Sequence, residues 1–107
     1  MSAAAAALVD VRRTGDGTVA RVDPAWIAAR CAGHFPGDPL VPGAYLLEVM
    51  VAAAGVTTPR VARCTFRRPV RPGGAVEVVV RRHGGDAAVE LSQDGVVAAR
   101  ALVAGSC

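Results

Sequence analysis

The sequence predicts an α+β fold in which one buried central helix is wrapped by an antiparallel β-sheet. Three observations lead there. Ala44-Tyr45-Leu46-Leu47-Glu48-Val49-Met50-Val51-Ala52-Ala53-Ala54 is an apolar run without internal Pro or Gly. Beyond Gly55 the chain reads as strands punctuated by turns at Gly84-Gly85 and Asp94-Gly95. The 107 residues, 52% of them hydrophobic, suit one domain spanning residues 1–107.

The elements follow in chain order. Leu8 to Val11 alternates, Thr14-Gly15-Asp16-Gly17 is a turn cluster, and Thr18 to Val22 resumes the alternation, so a hairpin is expected. Asp23-Pro24 can cap a short helix over Ala25–Arg30. Residues 33–43 contain three prolines and three glycines and cannot form a regular helix or a central strand. Pro42-Gly43 sits where the central helix starts, and Gly55 where it stops. Being apolar on every side, that helix should be buried all round. Val61 to Phe66, Ala75 to Arg82, Ala87 to Ser92 and Val96 to Val103 complete the strands, with Asp94-Gly95 as a hairpin turn.

The bulk properties narrow the function. All 12 basic residues are arginine and the net charge is +3. That mild excess, with few aromatic residues for base stacking, gives no case for nucleic acid. Cys31, Cys64 and Cys107 lack metal-ligand spacing and read as two buried small hydrophobes and a terminal thiol. No metal site is expected. Met1-Ser2 and five alanines lack the basic region and apolar core of a signal peptide, and the longest apolar run is too short to span a bilayer. A soluble cytoplasmic protein, away from membranes, is expected.

Glu48 is the only charge on the central helix. Either it points outward and is solvated, or it is paired, neutralised or functional. With His34 held in the Gly- and Pro-rich loop just upstream, it suggests an acid/base pair.

Gly33-His34-Phe35-Pro36-Gly37-Asp38-Pro39-Leu40-Val41-Pro42-Gly43, with Glu48 five residues further on, resembles the signature of the hot-dog-fold 3-hydroxyacyl-[acyl carrier protein] dehydratases of bacterial fatty-acid synthesis. Phe66-Arg67-Arg68-Pro69-Val70-Arg71-Pro72-Gly73 resembles that family's second recurring segment. The resemblance runs from about Val9 to Val103. It implies a hot-dog fold and dehydration of carrier-bound 3-hydroxyacyl thioesters to 2-enoyl thioesters. It also implies that the His and the acid of one site come from two subunits. His34 is then the base at C2, since an ordinary histidine is largely neutral at pH 7. Glu48 is the acid at the C3 hydroxyl. To act so near neutral pH it must keep its proton through burial, which the positive end of the helix dipole opposes. Gly43 offers its backbone N–H to the thioester carbonyl.

Other residues have weaker claims. Tyr45 and Phe35 either line the acyl site or belong to the core, and Phe66 reads as core. His83, in a Gly-rich turn, reads as exposed and inert. Arg60, Arg63, Arg67, Arg68, Arg71, Arg81 and Arg82 are either a solvated strand edge or a landing patch for an acidic carrier protein and its phosphopantetheine arm. Of these, Arg67, Arg68 and Arg71 are the candidates for carrier contact. No metal or organic cofactor is implied.

Two departures from the family pattern stand out. The family carries a glutamine four residues after the acid, where this chain has Ala52, and the segment 55–59 after the helix is short. They suggest a pathway-specific enzyme of polyketide or other secondary metabolism. Alternatives are a hot-dog thioesterase, an enoyl-CoA hydratase, or a non-catalytic hot-dog subunit of a heterodimeric dehydratase. The expected partners are an acyl carrier protein and a second hot-dog subunit, like or unlike.

Overall fold

The computed structural model describes residues 3–31 and 37–106. His34 and Phe35 lie outside the described residues. Among the described residues six strands form one antiparallel sheet: β1 (Leu8–Arg13), β2 (Gly17–Val22), β3 (Thr57–Phe66), β4 (Val76–His83), β5 (Asp86–Gln93) and β6 (Val96–Ser106). Their spatial order is β1-β2-β4-β5-β6-β3, so β1 and β3 are the edges. The helices are α1 (Pro24–Cys31) and α2 (Gly43–Ala54). The strands expected from the alternation are present; β4 is shifted by one residue and the others are extended by one to four residues.

The sheet's inner face follows from period-two alternation. Val76, Val78 and Val80 on β4, and Ala87, Val89 and Leu91 on β5, point inward and are buried. Leu46, Val49, Met50, Ala53 and Ala54 of α2 pack onto them, with Ala99 and Val103 of β6 in the same core. Asp94 and Gly95 both have positive φ, 51° and 81°, as a two-residue hairpin turn matched to the strand twist requires. A short 3₁₀ helix over Ala3–Ala7, which the alanine run did not suggest, places Ala4 and Ala7 in the core.

Local signals set the helix ends. Asp23 accepts a hydrogen bond from the Ala25 N–H at 2.9 Å and caps α1. Gly55 ends α2 in the left-handed conformation, φ 62° and ψ 25°. Arg82 on β4 donates to the carbonyl of Ala54 at 2.5 Å, satisfying one orphaned acceptor at the negative end of the helix. This corrects the solvated-edge or landing-patch reading for Arg82.

Two further expectations are corrected. The central helix is not buried all round: Ala44 and Glu48 are exposed, and Leu47, Val51 and Ala52 are only half-buried. Apolar composition on every side cannot distinguish a face covered within the chain from one left open. Phe66 is not core, since 49% of it is exposed at the end of the edge strand β3. Cys31 is buried and Cys64 half-buried. No helix among the described residues is long and apolar enough to cross a membrane.

Candidate active site

The N-terminus of α2 forms one candidate centre. Pro42 opens the helix, and no side chain caps it. The approach to it is held by backbone and side-chain bonds. Val41 N–H donates to the Val70 carbonyl at 2.9 Å. Arg71 pairs with Asp38, its Nη2 lying 3.2 Å from Oδ1. Gln93 clamps Arg71 from both sides, accepting from its N–H at 3.1 Å and donating to its carbonyl at 2.6 Å. The two motif segments of the sequence, 37–43 and 66–73, are therefore in contact.

Around Gly43 is a cavity of about 400 Å³, lined by Leu40, Val41, Leu46, Phe66, Arg67 and Arg68 among others. Phe66 approaches Gly43 so closely that a β-carbon there would lie 3.1 Å from the ring's Cζ. A glycine is needed at this position for that approach. Arg67 and Arg68, both exposed, stand at the cavity's edge.

Glu48 faces elsewhere. It lies in a groove of about 520 Å³ lined by Ala44, Leu47, Val51, Ala52, Val56 and Val61 among others. Apart from Glu48 this lining carries no ionisable side chain. Ala52, one turn beyond Glu48, presents only a methyl group where an amide could have reached the carboxylate. None of the groove's lining residues borders the Gly43 cavity. Five residues on a helix separate two positions by about 7.5 Å along the axis and turn them well away from each other. Within one protomer, then, Gly43 and Glu48 do not face the same space.

The Glu48 groove runs against β3. Nearly all of β3 is exposed, its outer edge has no neighbouring strand among the described residues, and Val61 is 38% exposed. An apolar groove beside an open strand edge is a surface suited to a second protomer.

The remaining sequence candidates fall elsewhere. Tyr45 packs edge-on against Trp26, centroids 6.3 Å apart, and Arg30 sits 4.8 Å from the Trp26 ring centroid and 5.4 Å from that of Tyr45. It borders neither cavity just described. His83 is exposed at the end of β4. Among the described residues no cluster of His, Cys, Asp and Glu could hold a metal ion. Phe66 as the neighbour of Gly43, and Arg82 as a helix cap, were missed as such. The Phe66-Arg67-Arg68-Pro69 block did carry a signal for the first, while nothing local marks the second.

Comparison with known proteins places the chain in a family and supports its fold. Residues 15–101 match the model of the ApeI-like family, described as ApeI dehydratase. A 3-hydroxyacyl-[acyl-carrier-protein] dehydratase FabZ of Bradyrhizobium sp. (strain ORS 278) is 37% identical over 95 residues, covering 66% of this chain and 60% of the relative. The enzyme of the same name from Latilactobacillus sakei subsp. sakei (strain 23K) is 35% identical over 79 residues, covering 62% and 56%. The chain thus spans about 60% of the length of these relatives. Among solved structures, the dehydratase heterocomplex ApeI:P from Xenorhabdus doucetiae superposes with a TM-score of 0.72 at 17% identity, over 91% of this chain and 94% of that one. An uncharacterized protein from Erwinia carotovora subsp. atroseptica gives 0.62 at 23% identity, over 91% and 90%. These two likenesses bear on the fold alone, and the fold is the hot-dog expected from the sequence. With the family model covering most of its length, the chain belongs to the ApeI-like dehydratase family.

Proposed function

We propose that this protein dehydrates 3-hydroxyacyl thioesters carried on an acyl carrier protein to 2-enoyl thioesters, in sites that are each built from two protomers. The observation that carries this reading is the separation of Gly43 and Glu48 into different cavities of one protomer. Pairing two protomers through the open β3 edge lets the Glu48 groove of one complete the Gly43 cavity of the other. The FabZ relatives support the reaction class.

In this mechanism His34 takes the proton from C2 of the substrate. Charge builds on the thioester oxygen, which accepts a hydrogen bond from the Gly43 N–H at the helix start. Glu48 of the partner protomer gives its proton to the C3 hydroxyl, which departs as water as the C2–C3 double bond forms. The proton on His34 then returns to Glu48 through solvent, restoring both groups. Covering the apolar groove on assembly removes Glu48 from water and sets it beside the substrate. The scheme uses no metal or organic cofactor. Arg67 and Arg68 at the mouth receive the phosphate of the pantetheine arm and the acidic carrier. Arg71 has a smaller share, because Asp38 already holds its guanidinium. In this reading the protein works in the cytoplasm together with its carrier.

The test is incubation with a short 3-hydroxyacyl thioester on a carrier protein, followed by intact mass. Loss of one water, abolished in His34→Ala, is expected. Normal turnover by that variant would remove His34 as the base.

Ala52 favours a second reading, a non-catalytic subunit paired with an active relative. That protein would be inactive alone and would copurify with an unlike hot-dog chain.

A further inference from the structure

A third cavity, of about 410 Å³, lies where α2 ends, between its last turn and strands β1, β2 and β4. Ala52 and Gly55 line both this cavity and the Glu48 groove. At those two positions the wall between them consists of a methyl group and a backbone. The inner lining is apolar, with Val78 and Val80 from β4. Two guanidinium groups, Arg13 and Arg82, also border it, and no carboxylate does. Arg82 is half-buried and close to the wall, since a β-carbon at Gly55 would lie 3.4 Å from its Nη2. One of its five donors serves the Ala54 carbonyl. Neither arginine is in an ion pair among the described residues.

We propose that this cavity holds the far end of the acyl chain, reached past Ala52, and that it selects chains ending in a carboxylate. The inference rests on the dehydratase reading for the identity of the thioester. Three physical points support it. At Ala52 the wall is only a methyl group thick, whereas a long amide side chain at this position would fill the space between the two cavities. Seven helical residues from Glu48 to Gly55 span on the order of 10 Å, the reach of a medium-length acyl chain. A half-buried guanidinium facing a purely alkyl end would leave donors desolvated and unmatched, whereas a carboxylate end matches them.

The test uses the whole protein and two unreactive S-acyl pantetheines of equal length, octanoyl and the half-thioester of suberic acid. Calorimetry should show about tenfold tighter binding of the carboxylate-ended chain. Arg82→Gln should bring the ratio to near one. Because Arg82 also caps α2, circular dichroism accompanies that variant. Arg13→Gln, on the exposed edge strand, should lower the ratio without touching the cap. Ala52→Leu should weaken both long thioesters more than acetyl-pantetheine. Equal affinities in the wild type, or a ratio that survives Arg82→Gln in a folded variant, overturns the proposal. These probes do not react, so the two readings fail separately. An intact ratio without dehydration sinks only the dehydratase reading, and dehydration with equal affinities sinks only this one.

Discussion

The ring of Phe66 stands against the bare α-carbon of Gly43, and a β-carbon there would come within 3.1 to 3.3 Å of three ring atoms. The contact joins the end of the edge strand to the start of the central helix. Gly43→Ala must push the ring aside. The ring is half exposed and can move, so the loss of stability should stay below about 3 kcal/mol, the range for added bulk in packed surroundings. Turnover should fall far more, about a hundredfold, because the methyl group displaces the thioester from its donor. Thermal unfolding and the intact-mass assay read the two effects separately. Parallel losses in both would mean that Gly43 has only a packing role.

Shared sites make a distinctive prediction for mixed protomers. His34→Ala and Glu48→Gln should each be inactive alone. Mixed after dissociation and reassembly, they should recover about a quarter of wild-type activity, since half the dimers are mixed and each mixed dimer keeps one intact site. No recovery in dimers shown to be mixed would place both groups in one protomer.

Gly55 ends α2 at φ 62°, where a side chain is strained. Gly55→Ala should cost about 1–2 kcal/mol in urea unfolding. Gly55→Asn should cost less, because asparagine tolerates this conformation. Equal losses would show that contact with Arg82, rather than backbone strain, dominates.

Burial pushes the Cys31 and Cys64 thiols above their ordinary range. The folded protein therefore keeps its protons at pH values where the unfolded thiols have begun to lose theirs. This contribution to stability is complete below the usual thiol pKa of 9.0 and declines as pH rises past it. Cys31→Ala should flatten the alkaline decline in unfolding free energy. In the native state at neutral pH, Cys31 should resist alkylation more than Cys64, because it is 4% exposed.

Most of the architecture could be read from local pattern. Alternation gave β4 and β5, Asp94-Gly95 gave their hairpin neighbour β6, and Pro42 with Gly55 bounded α2. What could not be read depends on tertiary placement. Phe66 was assigned to the core from its chemistry, yet position on an edge strand decides its exposure. The open side of α2 looked as apolar as the closed side, because both are covered once protomers pair in the proposed assembly. Arg82 contacts Ala54 across 28 positions of sequence, and no local signal anticipates such a cap. The motif led directly to Gly43 and Glu48, and its resemblance already implied sites shared between subunits, but the cavities that the two residues face follow only from the fold.

The open margin of β3 has a consequence for the life of the chain before assembly. Beyond Thr57, the strand up to Phe66 has no neighbouring strand on its outer side among the described residues. Such a margin accepts any extended chain, including a misaligned copy. Two irregularities in its pairing with β6, between Thr57 and Arg60 and between Val61 and Arg63, bend it away from a flat template. Arg60, Arg63 and Arg67 add like charges that repel a parallel, in-register copy stacked on it. A newly made protomer is thus guarded against fibrillar growth while still able to accept a mate in the opposite direction. Substituting those arginines with valine would trade soluble yield for aggregation, most visibly at high expression and before any change in the melting temperature.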